Sequence, residues 1–431
     1  MIIIPHNAVW RTWLSSNQFG YKEKTSCKNA FFVANETIQF YKAGRSNMFV
    51  VSLDAAKAFD KLWREGLFFK LIDQIEPSLW RILYKYYNDS FIIVCTDGKK
   101  SCKFRTTEGV KQGGILSPFL FNFFMDGLLT DVLSLNVGAK LNDINTSILA
   151  YCDDILLLSM SEAHMNRLLN HCYEYSCRWK LEFNASKSVS YSSDGTQVGD
   201  FELGGSNIPR SKGFIYLGLP IGGDKFTEDH FSDNFRKCEK ALYSLRVLGC
   251  KPNALSPFTI AFLYKQFCQS IFKYGLETLY IKKSFLNLLN VRQNILIKNV
   301  LGIKLYARSK VLMNVLNIES ITQIYSKHKL YGLRQIERNY YTKNILEFLG
   351  RSYATMTPCN QSFIAQLNQV NESCGINDIR NFKCIIEAVD SEFQCNDLDL
   401  KEQVTTTLNN YNTSNSFIIL KTLNEILRVN F

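Results

Sequence analysis

Long apolar runs, paired metal-ligand motifs and histidines are what this sequence has least of. No stretch of 18 apolar residues occurs in its 431, and a membrane-crossing helix needs about that many. The opening residues, MIIIPHNAVW, lack the basic region and small-residue cleavage site of a secretory signal. The 13 cysteines form no Cys-x-x-Cys pair, and the 5 histidines stand at no zinc-like spacing to them. A disulfide framework and a zinc module are therefore unsupported, and the thiols read as reduced and mostly buried. The expected location is intracellular, in the nucleus or the cytoplasm, with no membrane partner. No protein partner can be named from the residues.

What is present is core material and unevenly placed charge. Hydrophobic residues make up 46% of the chain and aromatics 13%, enough for two or three domains and unlike a disordered chain. Of the formal charge of +11, residues 236–340 hold 18 Lys and Arg against 4 Asp and Glu, residues 341–431 hold 7 against 10, and residues 1–235 hold 25 against 25. The basic excess sits in one block. A polyanion lying against that block is one reading, since neutralised phosphates release counterions; a solvated basic surface is the other.

The sharpest local signal is AYCDD, residues 150–154, flanked by the apolar runs SILA and ILLLS. Apolar, acidic pair, apolar is the pattern of a β-hairpin with acids at its tip, strands spanning 147–152 and 155–159. Two such carboxylates repel each other and each is costly to desolvate. A divalent cation removes both difficulties, and hard carboxylate oxygens suit Mg²⁺. By itself the doublet reads as an ordinary acidic turn. A second acid changes that: NMFVVSLDAAKAFDKL, residues 47–62, runs as a β-rich stretch that ends at Asp54 before a helix-favouring segment. Asp54 with Asp153 and Asp154 would make a three-carboxylate site for two metals ~3.5–4 Å apart, the arrangement of in-line phosphoryl displacement. Between them lies EGVKQGGILSPFLFNFFMDGLL, residues 108–129. Gly113 and Gly114 allow close backbone approach to a ligand, Ser117 reads as an N-cap, and Pro118 as the first helical residue.

The ordered set SLDAAKAFDKL, GVKQGGILSP, AYCDDILLLS, LEFNASKS and FIYLGLPIG, preceded by QFGYKEKTSCKNA, resembles reverse transcriptases, and within them those of non-LTR, LINE-like retrotransposons. The six motifs cover about residues 18–222. The resemblance implies an α+β right-hand polymerase with an antiparallel-sheet palm, partial fingers and a helical thumb. It implies residues 1–48 as partial fingers, 49–225 as palm with a finger insertion at about 62–107, 226–340 as a basic helical thumb, and 341–431 as an extension of unknown role. Carried over residue by residue, Asp54, Asp153 and Asp154 match the metal-binding aspartates, two Mg²⁺ being the expected ions with Mn²⁺ as a substitute. Phe59 matches the ring that blocks a nucleotide 2′-hydroxyl, and core packing on a helix is its other reading. Gln112 and Gly113 match the loop at the template–nucleotide pair. Lys187 matches a lysine near the leaving pyrophosphate, a candidate general acid; a surface lysine is the alternative. Tyr216, Leu217 and Gly218 match the hairpin that grips the primer end.

Two departures stand out. Cys152 replaces the usual Ala before the aspartates, a small change. Lys22 replaces the usual Arg after Gln-Phe-Gly-aromatic, which keeps charge for nucleotide binding but loses the planar fork. A further finger segment expected upstream is not supplied by the 17 residues before Gln18, so the chain reads as a piece of a longer element-encoded protein, or as a reading frame begun at an internal Met. Downstream, residues 62–107 suggest a helix and then a hairpin turning at Asp97-Gly98. Residues 161–180 suggest an amphipathic helix with Met165, Leu168, Leu169, Cys172 and Tyr173 on one stripe. Residues 259–280 place Lys265, Gln269 and Lys273 on one helical face at i, i+4 and i+8, with Phe262, Leu263 and Phe267 packed elsewhere. Lys265 and Lys273 are the expected nucleic-acid contacts, and 290–303 again mixes basic with apolar positions. Residues 403–416, QVTTTLNNYNTSNS, read as a loop or linker.

The expected reaction is RNA-directed DNA synthesis, with an RNA template, a DNA primer and dNTPs. The rival readings are an RNA-dependent RNA polymerase, a group II intron maturase-like enzyme, and an inactive remnant that only binds nucleic acid.

Overall fold

The computed structural model describes residues 14–195 and 200–374. The readings on MIIIPHNAVW and QVTTTLNNYNTSNS lie outside them. Two compact units divide the described chain: 14–226 with 335–362, and 227–334 with 363–374.

The first unit begins with α1 (Cys27–Ala43), β1 (Phe49–Leu53), α2 (Ala58–Lys61), α3 (Arg64–Leu71) and α4 (Pro77–Asn88). Four short strands follow, β2 (Phe91–Ile92), β3 (Cys95–Thr96), β4 (Lys99–Lys100) and β5 (Phe104–Arg105), and then α5 (Ser117–Ser134). After the pair β6 (Lys140–Leu141) and β7 (Ile144–Asn145) come β8 (Ile148–Tyr151), β9 (Asp154–Ser159) and α6 (Glu162–Trp179). The unit's strands end with β10 (Val189–Ser192), β11 (Glu202–Leu203), β12 (Ser206–Asn207), β13 (Gly213–Tyr216) and β14 (Leu219–Gly222).

An antiparallel sheet in the order β10-β1-β9-β8 forms the centre. Alternate residues of these strands point to opposite faces. Phe49, Val51, Leu53, Ile148, Ala150, Ile155 and Leu157 join one core with residues of α5 and α6. Val50, Leu149, Leu156 and Leu158 are buried as well. A sheet covered on both sides reads as continuous apolar runs, which is why SILA and ILLLS flank the acids. Each fully buried Val or Leu contributes about 1.5–3 kcal/mol, so the strands can hold costly groups at their ends. The fold is α+β as expected, with the acidic hairpin formed by β8 and β9. The expected finger insertion contains α3, α4 and β2–β5, with its tip at Asp97 and Gly98, both at positive φ (46° and 76°), as a type I′ turn requires.

Three local expectations need correction. Ser117 is the first residue of α5, not its cap: Leu116 occupies the cap position without a side-chain bond, and the Ser117 hydroxyl donates to the Lys111 carbonyl instead. Tyr173 is 43% exposed, whereas Tyr175 and Ser176 complete the buried stripe of α6; a 3.6-residue period continues from Cys172 to those positions and leaves Tyr173 off the stripe. The third correction lies in the helical unit.

That unit runs through α7 (Asp224–Ser244), α8 (Pro257–Leu263), a π turn over Tyr264–Cys268, α9 (Gln269–Lys273), α10 (Lys283–Leu301), α11 (Ser309–Val315) and α12 (Ile321–Arg338). The π turn inserts a residue per turn and breaks the i, i+4, i+8 face. Gln269 is buried, with its amide 3.4 Å from Gln293 Oε1, while Phe262 and Phe267 are 45% and 43% exposed. Lys265 and Lys273 are half-buried; the Lys265 ammonium donates to the Asn317 carbonyl at 3.2 Å. Burial, the largest influence, lowers the pKa of both lysines. Part of the basic excess is internal. Buried Lys298 donates to the Leu305 and Ala307 carbonyls, and buried Lys329 to that of Leu279.

The expected boundary at 340/341 does not coincide with an edge between units. Residues 335–362, including all of α13 (Tyr340–Ser352), pack with the sheet unit. Gln335 donates to Ser26 Oγ at 2.6 Å, Asn29 to Thr342 Oγ1 at 3.3 Å, and Ser362 to Glu36 at 2.8 Å. A last helix, α14 (Phe363–Cys374), belongs to the helical unit.

Leu157→Ala should test the weight of the sheet core: Leu157 is fully buried, and the loss should be about 2–5 kcal/mol of unfolding free energy, read from the urea midpoint.

Candidate active site

The sheet register places the acids together. Leu53 pairs with Ile155 across β1 and β9, so the next step along each strand sets Asp54 against Asp154. Asp153 occupies the two-residue turn between Tyr151 and Asp154. The electrostatics agree. Burial raises the Asp153 pKa, and Asp54 adds to the rise; Asp154 is pushed up to about 6 by burial, then by Asp153 and Asp54. Asp154 itself is exposed at the start of β9, so solvent screens part of this repulsion.

Asp54 is fixed by the LEFNASKS segment. Its N–H donates to Ser188 Oγ at 3.1 Å, and its carbonyl accepts from the Asn184 N–H at 2.8 Å. Lys187 lies in that turn, exposed, its own N–H bonded to Asn184. Beside the acids, β13 and β14 form a hairpin whose turn is Leu217 and Gly218 at φ 51° and 76°. Tyr216 is buried; its hydroxyl pKa is raised by burial first and then by the charge of Asp154, and it has no hydrogen-bond partner among the described residues.

Residues 17–20 brace the acidic turn in a way the motif reading missed. Phe19 donates to the Ala150 carbonyl at 2.8 Å, and Ala150 to that of Asn17 at 2.9 Å. Gln18, fully buried, accepts from the N–H of Gly20 at 2.9 Å and of Cys152 at 3.0 Å. Cys152 sits at φ 56°, a strained conformation for a residue with a side chain. Its N–H, at the first position of the turn, has no partner in the ladder, and Gln18 supplies one. The Cys152 thiol packs against Gly20, where a Cβ would lie 2.5 Å from Sγ, so Gly20 makes room for the thiol that stands in place of Ala. Burial and then the two aspartates push the thiol pKa up to about 12, which keeps it neutral.

A separate cleft of about 550 Å³ is lined by Tyr21, Phe59, Lys111, Gln112, Gly113, Gly114, Ile115, Ser117, Pro118 and Phe119. Phe59, Gln112 and Gly113 are thus brought together. Phe59 stacks on buried Phe121, centroids 4.7 Å apart and planes 19° apart. Gln112 donates to Asp60 at 2.8 Å, and Gly113 takes φ 75°. Tyr21 and Lys111 were not singled out from the sequence. Lys22 does not line the cleft: it donates to the Ser15 carbonyl at 2.8 Å, and burial lowers its pKa against the pull of Asp126. Lacking a guanidinium fork, it satisfies itself on a nearby backbone carbonyl. Lys265 and Lys273 belong to the helical unit.

The donor set of the three acids is hard oxygen, which fits Mg²⁺ or a similar divalent ion. Among the described residues no three His, Cys, Asp or Glu side chains form a ready-made cage. Mg²⁺ sites typically use one or two carboxylates and complete themselves with water and substrate phosphates, so the open arrangement suits that ion.

The raised Asp154 pKa has a stability consequence. The folded protein binds more protons than the unfolded chain between the ordinary value of 3.8 and about 6, so this group's contribution falls as pH rises through that window. Without divalent ions, Asp154→Asn should raise the Tm at pH 7 by a few degrees and leave it unchanged near pH 3. Added Mg²⁺ should stabilise the native protein more than the variant. A variant no more stable at pH 7 than at pH 3, relative to the native chain, would contradict the crowding of these charges.

Comparison with known proteins follows the same motifs. The model of the family described as "Reverse transcriptase (RNA-dependent DNA polymerase)" matches residues 3–221. The RNA-directed DNA polymerase from mobile element jockey of Drosophila melanogaster is 24% identical over 60% of this chain and 29% of its own length. The probable RNA-directed DNA polymerase from transposon BS of the same fly is 24% identical over 74% and 36%. A Pol polyprotein from the type-1 retrotransposable element R2 of Popillia japonica is 32% identical over 38% and 23%. The chain thus spans about a third or less of these relatives. Among solved structures, the apo telomerase of Candida tropicalis is similar at 12% identity over 84% of this chain and 53% of that one, with a TM-score of 0.37. With the motif order, the sheet-edge aspartates and a family match over half its length, the chain belongs to the reverse transcriptases, and its resemblance is to those of LINE-like mobile elements.

Proposed function

We propose that this chain is the polymerase portion of a non-LTR retrotransposon protein and copies RNA into DNA. The observation that carries the reading is the register that sets Asp54 against the Asp153–Asp154 turn. The sheet unit would supply palm and partial fingers, and the helical unit the thumb.

Reverse transcriptases generally use divalent metal ions. Here Asp54, Asp153 and Asp154 would hold two Mg²⁺, replaceable by Mn²⁺; when bound, such ions supply charge neutralisation at the attacking hydroxyl and the leaving pyrophosphate. The primer 3′-oxygen bonds to the α-phosphorus of a dNTP as the bond to pyrophosphate breaks. The hydroxyl proton is lost to solvent or a nearby base, and exposed Lys187 is free to protonate pyrophosphate. Phe59, one face on Phe121 and half-buried in the cleft wall, excludes a 2′-hydroxyl by bulk. Gln112 and Gly113 would meet the base pair being formed, and the Tyr216–Gly218 hairpin the primer end. The solvent-exposed cations of the helical unit, rather than the inward Lys265, would lie along the template–primer phosphates.

Primer extension on an RNA template with Mg²⁺ tests this. The native chain should incorporate dNTPs. Asp153→Asn should lose more than the roughly 10–100-fold seen when only a partner of a metal ligand is removed, and Phe59→Val should raise NTP use by roughly tenfold or more. Salt-sensitive binding of the duplex with no dNTP incorporation would instead establish the inactive, nucleic-acid-binding reading.

A further inference from the structure

The wall and the floor of the cleft come from sequence segments some fifty residues apart, and one buried side chain connects them. Arg64, the first residue of α3, is 4% exposed. Its Nε donates to the Gly109 carbonyl at 2.7 Å, Nη1 to the carbonyls of Tyr87 at 2.9 Å and Thr106 at 2.5 Å, and Nη2 to Thr106 Oγ1 at 3.0 Å. Every hydrogen-bond acceptor is neutral; the carboxylates of Glu108 and Glu65 favour the charge only from a distance, against the larger effect of burial, and the guanidinium lies 5.6 Å from the Tyr87 ring centroid. Burying a guanidinium on neutral acceptors is costly, and a purely structural link could be apolar.

The link ends at the cleft. Gly109, at φ 74°, donates to the Leu62 carbonyl at 2.8 Å, and Val110 donates to the Phe59 carbonyl at 2.8 Å. A Cβ on Gly109 would overlap the Asp60 carbonyl. Two residues further on, Lys111 to Gly114 line the same cleft as Phe59. Arg64 thus holds Gly109 against the helix that carries Phe59. A lysine could not replace it, because one ammonium cannot span three backbone carbonyls as a planar fork does.

We infer that Arg64 is a positioning residue that sets the spacing between Phe59 and the 111–114 loop, and through it the discrimination of deoxy- from ribonucleotides. This rests on the polymerase reading above. The Thr106 hydroxyl shares in the same device.

The test is single-nucleotide incorporation by the native chain, Arg64→Lys and Thr106→Val, with dCTP and CTP opposite a template G. Arg64→Lys should raise the KM for dCTP and lower the dCTP:CTP preference, each by roughly tenfold, since small misplacements of binding groups are costly, with kcat within about threefold. Thr106→Val should shift both in the same direction by less. Hydrogen exchange is followed in the same proteins, and protection at Gly109 and Val110 should fall in Arg64→Lys. Unchanged KM and preference in a folded, active Arg64→Lys would overturn the inference. If Arg64→Lys does not fold, Thr106→Val decides, and native preference there overturns it. If the native chain incorporates no nucleotide, the polymerase reading fails by itself. Exchange at Gly109 and Val110 then judges the positioning role, with native protection in Arg64→Lys counting against it.

Discussion

Repulsion among three carboxylates at one end of a buried sheet is the constraint around which the first unit is arranged. Asp54 and Asp154 follow the last pair of the β1–β9 ladder, Leu53 with Ile155, and Asp153 adjoins them in a turn that holds Cys152 at positive φ. Left alone, such an end would fray or protonate. Apolar residues on both faces of β1, β8 and β9 hold the strands. Ser188 and Asn184 take the backbone groups of Asp54, and Gln18 takes the N–H that the Cys152 turn leaves over. The polar braces come from segments far apart in sequence because a two-residue turn has no groups of its own to spare.

That distribution explains what could be read from the sequence. The aspartates, the β8–β9 hairpin and the Asp97-Gly98 turn are signalled locally, by apolar runs interrupted by acids and by residues that accept positive φ. Phe59 and Gln112 were found through motif resemblance and meet in one cleft. The partners Gln18 and Arg64 were not found, because their bonds span 134 and as many as 45 residues and leave no periodic trace. Lys22 and the Lys265–Gln269–Lys273 face are placed differently from the sequence pattern, for different reasons. Lys22 found a carbonyl seven residues back. The helical face assumed uniform α geometry, which the π turn at Tyr264–Cys268 interrupts.

Charge tells a similar story. A basic block summed from sequence treats every cation as surface, yet Lys298 and Lys329 are spent inside the helical unit on backbone carbonyls. Lys70 in the sheet unit lies over the rings of Phe124, Tyr175 and Trp179, at 4.7, 5.0 and 3.9 Å, with burial holding its pKa down to about 8. Such lysines stabilise loops and helix contacts and offer nothing to a polyanion. On the proposed reading, long-range attraction of phosphates would come from the remaining solvated cations, whose effect weakens with salt as the buried contacts do not.

On the role proposed for Phe59, stability and selectivity cannot be separated. A ring that excludes a 2′-hydroxyl must not move when a ribonucleotide pushes against it, since a soft wall would yield at little cost. Stacking on fully buried Phe121 gives it a rigid backing, because Phe121 belongs to the core beneath the sheet and cannot shift without opening a cavity. In the 109–114 segment Val110 belongs to that core, but Gln112 and Gly113 are exposed, and the segment is also held at its root by the bond from Arg64 to Gly109. One wall is fixed by apolar packing and the other by apolar packing and directional hydrogen bonds together.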